Sequence, residues 1–350
     1  MPRLPHLHLP TDSAAVSRRA FTLGAAGLAA GLLAACSDSA DSAESPSGAG
    51  KGAGSGEWKP VRVKHKFGET TVAKRPVRIV SAGYTEHDFL LALGITPIAV
   101  TDWYGDQPYA TWPWAQAKLG GAKPTVLKLD DGFQFVEIAK LKPDLIIACN
   151  AGLEQPAYTK LSKIAPTIAQ TGKGTDFFEP WTHMMELIGA SVGMPAEAKK
   201  IREGVAATFA AAAKAHPELA KKKAIFLQNA VSDGNLIAYQ DGLSTEFLTD
   251  LGLVVPDAIN SYIKEGEQAY IPVEKISVLN AADILVWGTE KDADRTALEK
   301  VPGFQNLTAV KNKRSVYTGG ELAGAIYFSS PLSLPYVVDK LVPMLAAVAK

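Results

Sequence analysis

The chain has 350 residues, of which 47% are hydrophobic and 21% are charged, so it can bury a large core over about two domain lengths. Its 36 basic and 36 acidic residues balance, which argues against the basic surface that nucleic-acid binding requires. The two cysteines have no Cys or His neighbours at the spacing of zinc ligands, so we expect the fold to depend on packing.

The first part of the chain has the pattern of an export signal. Arg18 and Arg19 precede an uncharged run over residues 20–35 that is shorter than the roughly 20 apolar residues of a membrane span. The paired arginines resemble a twin-arginine signal, and Leu-Ala-Ala-Cys ending at Cys36 resembles a bacterial lipobox, whose cysteine is acylated. An ordinary basic leader and an unmodified cysteine are the alternatives that the residues leave open.

These patterns predict a signal peptide over residues 1–35 and a lipidated Cys36 at the start of the mature chain. The segment 36–57 is predicted to be a flexible tether, because after the cysteine it is rich in Ser, Gly, Ala and Asp and lacks large apolar side chains. Two or more acyl chains, such as palmitate, hold a protein durably on a membrane. We therefore expect a lipoprotein on the extracytoplasmic face of the cell membrane.

Residues 58–175 are predicted to form a first α/β lobe. A buried-type strand over 77–81, a helix over 85–93 and a second strand over 98–100 together make a βαβ unit. The apolar run over 145–148 is typical of a strand buried in a parallel sheet.

The same pattern recurs in residues 221–350, which we predict to be a second lobe of related topology. The sequence LTDLGL at 248–253 repeats the spacing of LLALGI at 90–95, a helix end with its glycine. The sequence DILV at 283–286 likewise repeats DLII at 144–147, an aspartate followed by an apolar strand.

A single helix is predicted to connect the lobes. Within the connecting segment 176–220, Pro195 suits the first turn of a helix, and Ile201, Val205 and Phe209 follow at four-residue spacing through an Ala-rich stretch. About 20 residues at 1.5 Å each span some 30 Å, which is about the width of a domain.

The sequence contains no pattern of known catalytic chemistry. It lacks a Gly-x-Ser-x-Gly nucleophile elbow, a His-Glu-x-x-His zinc helix and a Gly-Lys-Ser/Thr phosphate loop. The histidines after Cys36 are isolated from one another, which favours surface or helix-face positions over metal ligation. They are His65, His87, His183 and His216. We therefore predict no enzymatic activity, no cofactor and no metal site, and an inert buried thiol at Cys149.

Aromatic residues cluster after the predicted strands, where open α/β sheets form their ligand crevices. We predict seven of them as ligand-binding residues: Tyr84, Trp103, Tyr104, Tyr239, Trp287, Tyr327 and Phe328. Rings with polar tips suit an organic ligand that has a flat apolar side. Core packing is the alternative for each of these residues, as it is for the nearby Trp112 and Trp114.

Several segments resemble ABC-transporter substrate-binding proteins of the iron-siderophore and cobalamin group. They are PVRIV at 76–80, LKPDLII at 141–147, LSKIAP at 161–166 and LTAVKNK at 307–313. Two more, TDWYG at 101–105 and LAGAIYFS at 322–329, resemble the actinobacterial ferric-siderophore receptors in particular. The resemblance implies an α/β fold of two Rossmann-like lobes, joined by a single long helix, with a ligand cleft between the lobes.

The resemblance also implies the ligand, an Fe(III)-siderophore complex in which the siderophore supplies the coordination shell of the iron. We prefer a hydroxamate siderophore, because the sequence shows no dense arginine cluster of the kind that pairs with carboxylates or catecholates. A cobalamin or haem receptor on the same fold is the first alternative, and an extracytoplasmic siderophore-processing enzyme is the second.

The implied partner is an ABC permease that takes up the iron complex. Receptors of this group commonly present one exposed glutamate on each lobe to arginines of the permease. Glu154 and Glu299 match these positions, although local spacing also allows Glu137 or Glu290. We expect a monomer with no nucleic-acid partner.

Overall fold

The computed structural model describes residues 57–264 and 266–350. The predicted signal peptide, Cys36 and all of the predicted tether except its last residue lie outside the described residues. Within the described part, no helix has both the length and the apolar composition that crossing a membrane requires.

An antiparallel hairpin opens the described part of the chain. Strand β1 (Val61–His65) pairs with strand β2 (Gly68–Val72). Because side chains alternate between the two faces of a strand, Val63 and Val72 point inward and join the core of the first lobe.

The first lobe contains a five-stranded sheet in which all strands are parallel. The strands are β3 (Ile79–Ser81), β4 (Ala99–Thr101), β5 (Thr125–Leu127), β6 (Leu145–Ala148) and β7 (Thr167–Ala169). Their order across the sheet is β5-β4-β3-β6-β7. Every residue of β3, β4, β6 and β7 is buried, as expected for a parallel sheet covered on both faces.

Five α-helices accompany this sheet among the described residues. They are α1 (Glu86–Ala92), α2 (Pro113–Gln116), α3 (Phe135–Lys140), α4 (Gln155–Ser162) and α5 (Trp181–Ser191). The predicted βαβ unit and the predicted strand over 145–148 are confirmed, with element ends moved by one or two residues.

One long helix passes from the first lobe to the second. Helix α6 (Pro195–Ala215) has 21 residues, which corresponds to roughly 30 Å. Ala198 packs in the core of the first lobe, while Val205 and Phe209 pack in the core of the second. The predicted connecting helix is confirmed.

The second lobe contains a five-stranded mixed sheet. Its strands are β8 (Ala224–Ser232), β9 (Asn235–Ala238), β10 (Ala269–Pro272), β11 (Ile284–Gly288) and β12 (Ser315–Tyr317). The order is β10-β9-β8-β11-β12, with β8, β11 and β12 parallel and β9 antiparallel to both of its neighbours. The α-helices are α7 (Glu246–Thr249), α8 (Asp292–Glu299), α9 (Thr308–Lys311), α10 (Gly320–Phe328) and α11 (Ser333–Val348).

Short 3-10 helices complete the described elements. They are Pro108–Ala110, Ala117–Leu119, Pro217–Leu219, Asp257–Tyr262, Val273–Ala281 and Phe304–Asn306.

Strands β8 and β9 of the second lobe pair antiparallel, whereas all strands of the first sheet are parallel. The turn between β8 and β9 explains the difference. Asp233 and Gly234 are the only two residues between β8 and β9, with φ angles of 47° and 74°. Two positive φ values in a two-residue loop are the geometry of a type I′ hairpin turn, which returns the chain beside the strand it left.

The two sheets otherwise match position by position, as the recurring sequence pattern predicts. The backbone N–H of Asp144 donates to the carbonyl of Arg78 at 3.0 Å, and its carboxylate accepts the N–H of the same residue at 2.8 Å. Asp283 makes the same two bonds with Lys223, at 2.8 and 2.9 Å. Each aspartate therefore ties the start of a central strand to the start of its neighbour.

The glycine that ends a helix in each lobe has the same conformation in both lobes. Gly94 and Gly252 have φ angles of 76° and 85°, and in each case the next residue donates back to the carbonyl five residues earlier, at 2.9 and 3.2 Å. This is the Schellman helix ending, in which the left-handed residue is usually glycine because it has no Cβ.

Candidate ligand-binding site

Aromatic rings from the two lobes meet at the ends of the strands. Trp103 and Tyr104, which follow β4, come from the first lobe, and Tyr327 and Phe328, at the end of α10, come from the second. The ring centroids of Trp103 and Phe328 are 5.6 Å apart, and those of Tyr104 and Tyr327 are 6.2 Å apart. The structure therefore brings these four predicted residues together from positions more than 200 residues apart in the sequence.

Tyr84 extends the aromatic surface on the first lobe. Its ring is stacked on that of Trp103 with centroids 5.5 Å apart and an interplanar angle of 28°. Tyr84 also contacts Phe177, which was not predicted from the sequence. The centroids of these two rings are 6.2 Å apart. The Phe177 side chain occupies the space where a Cβ on Gly152 would lie, 2.2 Å from its Cζ. The pair of phenylalanines at 177 and 178 was the available sequence clue, but neither follows a predicted strand.

A buried carboxylate holds the loop that carries Tyr84. Glu86 accepts the N–H of Asn150 at 2.7 Å and the N–H of Thr85 at 3.0 Å, so it joins the loop after β3 to the loop after β6. Burial raises the pKa of Glu86, although these backbone bonds act in the opposite direction. A Cβ on Gly83 would lie 2.2 Å from the carboxylate, so glycine is required at this close approach.

Two tyrosines of the second lobe have fixed hydroxyl groups. Tyr239 donates to Oε1 of Gln228 at 3.0 Å, and Tyr327 donates to the carbonyl of Gly288 at 3.0 Å. Both rings also contact Phe226, at centroid distances of 5.0 and 5.9 Å. These contacts hold both rings in place, but Tyr239 is buried in the core of the second lobe, whereas Tyr327 is half-buried.

The structure corrects the prediction for Trp287. Its side chain is fully buried and packs against Phe304 at a centroid distance of 5.4 Å. Because strand residues alternate between faces, Val286 points into the core shared with Tyr239 while Trp287 points into the core on the opposite face. Trp287 is therefore a core residue and does not line the place where the lobes meet.

Phe328 requires a smaller correction. Its side chain is 2% exposed and contacts Trp112 and Trp114, whose rings are stacked 5.1 Å apart. Phe328 therefore supports Trp103 from behind, and core packing, the alternative considered for Trp112 and Trp114, describes all three rings.

A half-buried carboxylate lies near the facing rings. Glu290 lies two residues after β11 and is half-buried. Burial is the main cause of its raised pKa, and the charge of Asp294 adds to the rise. Burial also raises the pKa of Tyr104 and Tyr327, and the charge of Glu290 adds to the rise in both. Within the described part of the chain, each lysine or arginine that lies over an aromatic ring does so on a ring outside this group.

Two further predictions concern a buried thiol at Cys149 and the absence of a metal site. Cys149 is buried at the end of β6, as predicted, and burial raises its pKa, which disfavours the reactive thiolate form. Among residues 57–264 and 266–350, no group of three or more His, Cys, Asp or Glu side chains is placed to hold a metal ion.

Two α/β lobes of matching topology, connected by one helix and facing each other through aromatic side chains, define a solute-binding protein. The chain belongs to the periplasmic binding protein family, whose model matches residues 79–322. The family resemblance and the two-lobed fold predicted from the sequence are thereby confirmed.

Solved structures extend this relationship. The chain is similar to a periplasmic solute-binding protein from Mycobacterium smegmatis, with 47% identity, a TM-score of 0.78, and coverage of 83% of this chain and 99% of that one. It is also similar to PiaA from Streptococcus pneumoniae in complex with ferrichrome, with 27% identity, a TM-score of 0.71, and coverage of 83% of this chain and 98% of that one.

A curated relative matches over a shorter region. A Bacillus subtilis protein, YhfQ, named as an ABC transporter substrate-binding lipoprotein, is 39% identical over 126 residues. The match covers 33% of this chain and 35% of YhfQ, so it spans about a third of the length of that relative.

Proposed function

We propose that this protein is a receptor that binds a ferric hydroxamate siderophore between its lobes and delivers it to an ABC importer. The observation that carries the proposal is the set of facing rings: Trp103 and Tyr104 on one lobe, Tyr327 on the other. The similar PiaA structure, which holds ferrichrome, supports the same ligand class.

The chemistry of the facing surfaces matches the outside of such a complex. A trihydroxamate siderophore fills the six coordination positions of Fe(III), so the protein contacts only alkyl chains, amides and the oxygens of the chelate. Flat rings such as Trp103 contact the alkyl parts, and phenol groups such as that of Tyr104 can donate hydrogen bonds to hydroxamate oxygens. Iron is the cargo here, and the protein supplies none of its ligands.

The charge of the facing surfaces favours hydroxamate complexes over other ferric siderophores. Catecholate and carboxylate complexes are anionic, and their recognition calls for arginine or lysine. The half-buried charged groups beside the facing rings include the carboxylates of Asp102 and Glu290. A neutral or cationic ferric complex therefore fits, and an anionic one is disfavoured.

Anchoring and docking complete the proposed function. Acylation of Cys36 would hold the receptor on the extracytoplasmic face of the membrane, where a monomer can reach a permease. For docking we propose Glu154 and Glu299. Both are exposed: Glu154 directly precedes α4, and Glu299 ends α8, where it pairs with Arg295 at 3.0 Å.

The matching lobes also supply a second pair of exposed carboxylates. Glu137 lies in α3, before β6, and Glu274 lies in the 3-10 helix Val273–Ala281, before β11, so the two occupy corresponding places. Glu290, which sequence spacing also allowed, is half-buried beside the tyrosines and does not suit a docking contact.

Calorimetric titration of the purified protein tests the proposed ligand. We expect saturable binding of one ferric trihydroxamate, such as ferrichrome, per protein, and no binding of the iron-free siderophore or of Fe(III) held by a weak chelator at the same concentrations. Binding of cobalamin or haem in place of the trihydroxamate would show that the ligand class is wrong. Mass spectrometry of the recovered siderophore checks for cleavage, which would support the processing enzyme instead.

A further inference from the structure

Glu290 is a carboxylate without an ionic partner at the place where the lobes meet. Its side chain is half-buried, and none of the ion pairs in the described part of the chain includes it. Burial and the like charge of Asp294 raise the pKa of Glu290, and the opposite charge of the exposed Lys291 lowers it. A carboxylate that is partly withdrawn from water and makes no ion pair loses solvation with little compensation.

The charge of Glu290 acts on three tyrosines, and the rings of two of them, Tyr104 and Tyr327, have centroids 6.2 Å apart. Tyr104 comes from the first lobe, while Tyr239 and Tyr327 come from the second. Burial raises the pKa of all three hydroxyls, and the charge of Glu290 adds to each rise. The hydroxyl of Tyr327 donates to the carbonyl of Gly288, which precedes Glu290 by two residues in the chain. These four side chains, Tyr104, Tyr239, Tyr327 and Glu290, are called the Glu290 cluster below.

The hydroxyl groups of the Glu290 cluster are available as hydrogen-bond acceptors. Tyr239 gives its proton to Gln228, and Tyr327 gives its proton to a backbone carbonyl, so each oxygen is left with lone pairs. The N–H of Asn229 uses one of the lone pairs on Tyr327, and the side-chain amide of Gln268 uses one of those on Tyr239. The hydroxyl of Tyr104 is buried and has no hydrogen-bond partner, which is unfavourable unless a ligand supplies one.

We propose that the Glu290 cluster is a subsite for an alkylammonium group carried by the ligand. An ammonium has three N–H donors and one positive charge, so it requires acceptors and a counter-ion. The carboxylate supplies the charge, the phenol oxygens accept hydrogen bonds, and the faces of the three rings attract a cation. This inference rests on the proposed function, and it narrows the substrate class to ferric trihydroxamates with a pendant primary amine.

The experiment compares two ligands that differ only in that group. Ferrioxamine B has a pendant ammonium, and its N-acetyl derivative keeps the same ferric trihydroxamate core without the charge. We expect the intact protein to bind ferrioxamine B about tenfold more tightly than the derivative, the scale of one charge-assisted contact. Glu290→Gln should remove most of this preference while changing the affinity for the acetylated ligand by less than about twofold.

Glu299→Gln is the matched control, because it removes the same charge from an exposed position of the same lobe. It should leave the preference unchanged. Equal binding of the two ligands by the wild-type protein would overturn the subsite and leave the proposed function standing. An equal loss of preference in both variants would also overturn it, because general charge would then be the cause. Binding of neither ligand would instead count against the proposed function itself.

Discussion

The hydroxyl of Ser330 donates a hydrogen bond of 2.5 Å to Oδ2 of Asp88, a fully buried carboxylate in helix α1. The indole N–H of Trp114 donates to the same oxygen at 2.8 Å. Ser330 lies between α10 and α11 in the second lobe, so this bond joins the two lobes through a buried polar contact. A buried carboxylate needs its hydrogen bonds, because no water replaces a lost donor.

Ser330→Ala should therefore destabilise the protein by about 1–3 kcal/mol, the scale for leaving a buried acceptor partly unsatisfied. The measurement is the free energy of unfolding in urea. Ser329→Ala is the control, since that hydroxyl is half-exposed and donates within its own helix end, to the carbonyl of Ile326. Equal stability of the two variants would show that the contact between the lobes contributes little.

The buried titratable groups beside this contact predict an unusual dependence of stability on pH. Burial raises the pKa of Asp88 to about 6 and lowers the pKa of His87 to about 4. The folded state holds the Asp88 proton more tightly, so the stability from this group is complete below about pH 4 and is lost as the pH rises through 6. His87 acts with the opposite sign: its contribution is complete above about pH 6.5 and is lost as the pH falls towards 4.

The two contributions should largely cancel between about pH 4 and 6 in the wild-type protein, apart from Glu86, whose raised pKa acts in the same direction as that of Asp88. His87→Leu should reveal a stability that falls with rising pH, and Asp88→Asn should reveal one that rises. Urea unfolding curves at several pH values measure the slopes. Identical slopes in both variants and the wild type would contradict the assignment.

Trp103→Ala should weaken ferric trihydroxamate binding by about 1–3 kcal/mol, because we propose that this half-buried ring supplies a large flat contact to the ligand. Isothermal titration gives the change in Kd. Trp287→Phe, a change in the core on the far face of β11, should leave Kd unaltered while lowering the unfolding temperature. A folded Trp103→Ala variant with wild-type affinity would show that this ring lies outside the ligand contact.

Local patterns could predict much of the fold. The strand over 145–148 and the repeated aspartate and glycine positions are properties of short segments, and the structure places them as expected. The hairpin at Asp233 and Gly234 was equally local, but its two-residue turn was not recognised. By contrast, the contact between Asp88 and Ser330 joins residues 242 positions apart, which no local pattern encodes.

The candidate site was predicted less completely, for a related reason. Trp103 follows a strand as predicted, but Tyr327 reaches it from the end of helix α10. Position along the chain also could not say which face of β11 Trp287 occupies. Glu290 was considered only as an alternative docking residue, because its effect on Tyr104 depends on how one lobe sits against the other. Sequence reasoning places residues along an element, whereas a binding site depends on side-chain direction and on contacts between elements.

Cys36→Ser should release the receptor from the membrane or leave an unprocessed precursor, since acyl chains supply nearly all of the membrane affinity proposed here. Membrane and soluble fractions can be compared by immunoblot after metabolic labelling with palmitate. Replacing the neighbouring Ser37 by Ala is the control and should preserve both the label and the membrane fraction. A labelled, membrane-bound Cys36→Ser protein would place the lipid on another residue.

Docking to the permease can be separated from ligand binding by a double substitution. Glu154 and Glu299 are exposed, so replacing both by Ala should leave the Kd for the siderophore within about twofold of wild type. Iron uptake should fall by about tenfold or more, because each glutamate would otherwise make a charge-assisted bond to an arginine of the permease. Uptake of radioactive iron is measured in cells that contain the variant at the wild-type level.

The corresponding pair on the matching lobes provides the decisive comparison. Glu137→Ala with Glu274→Ala removes the same number of charges from exposed positions, so it controls for net charge and for general surface effects. If uptake falls only in the variant lacking Glu154 and Glu299, those residues are the docking pair. If it falls only in the second variant, the permease reads the helices before β6 and β11 instead, and our assignment is wrong. A loss of siderophore affinity that matches the loss of uptake would mean that the substituted residues support the fold or the ligand site, because docking alone cannot change binding in the isolated receptor.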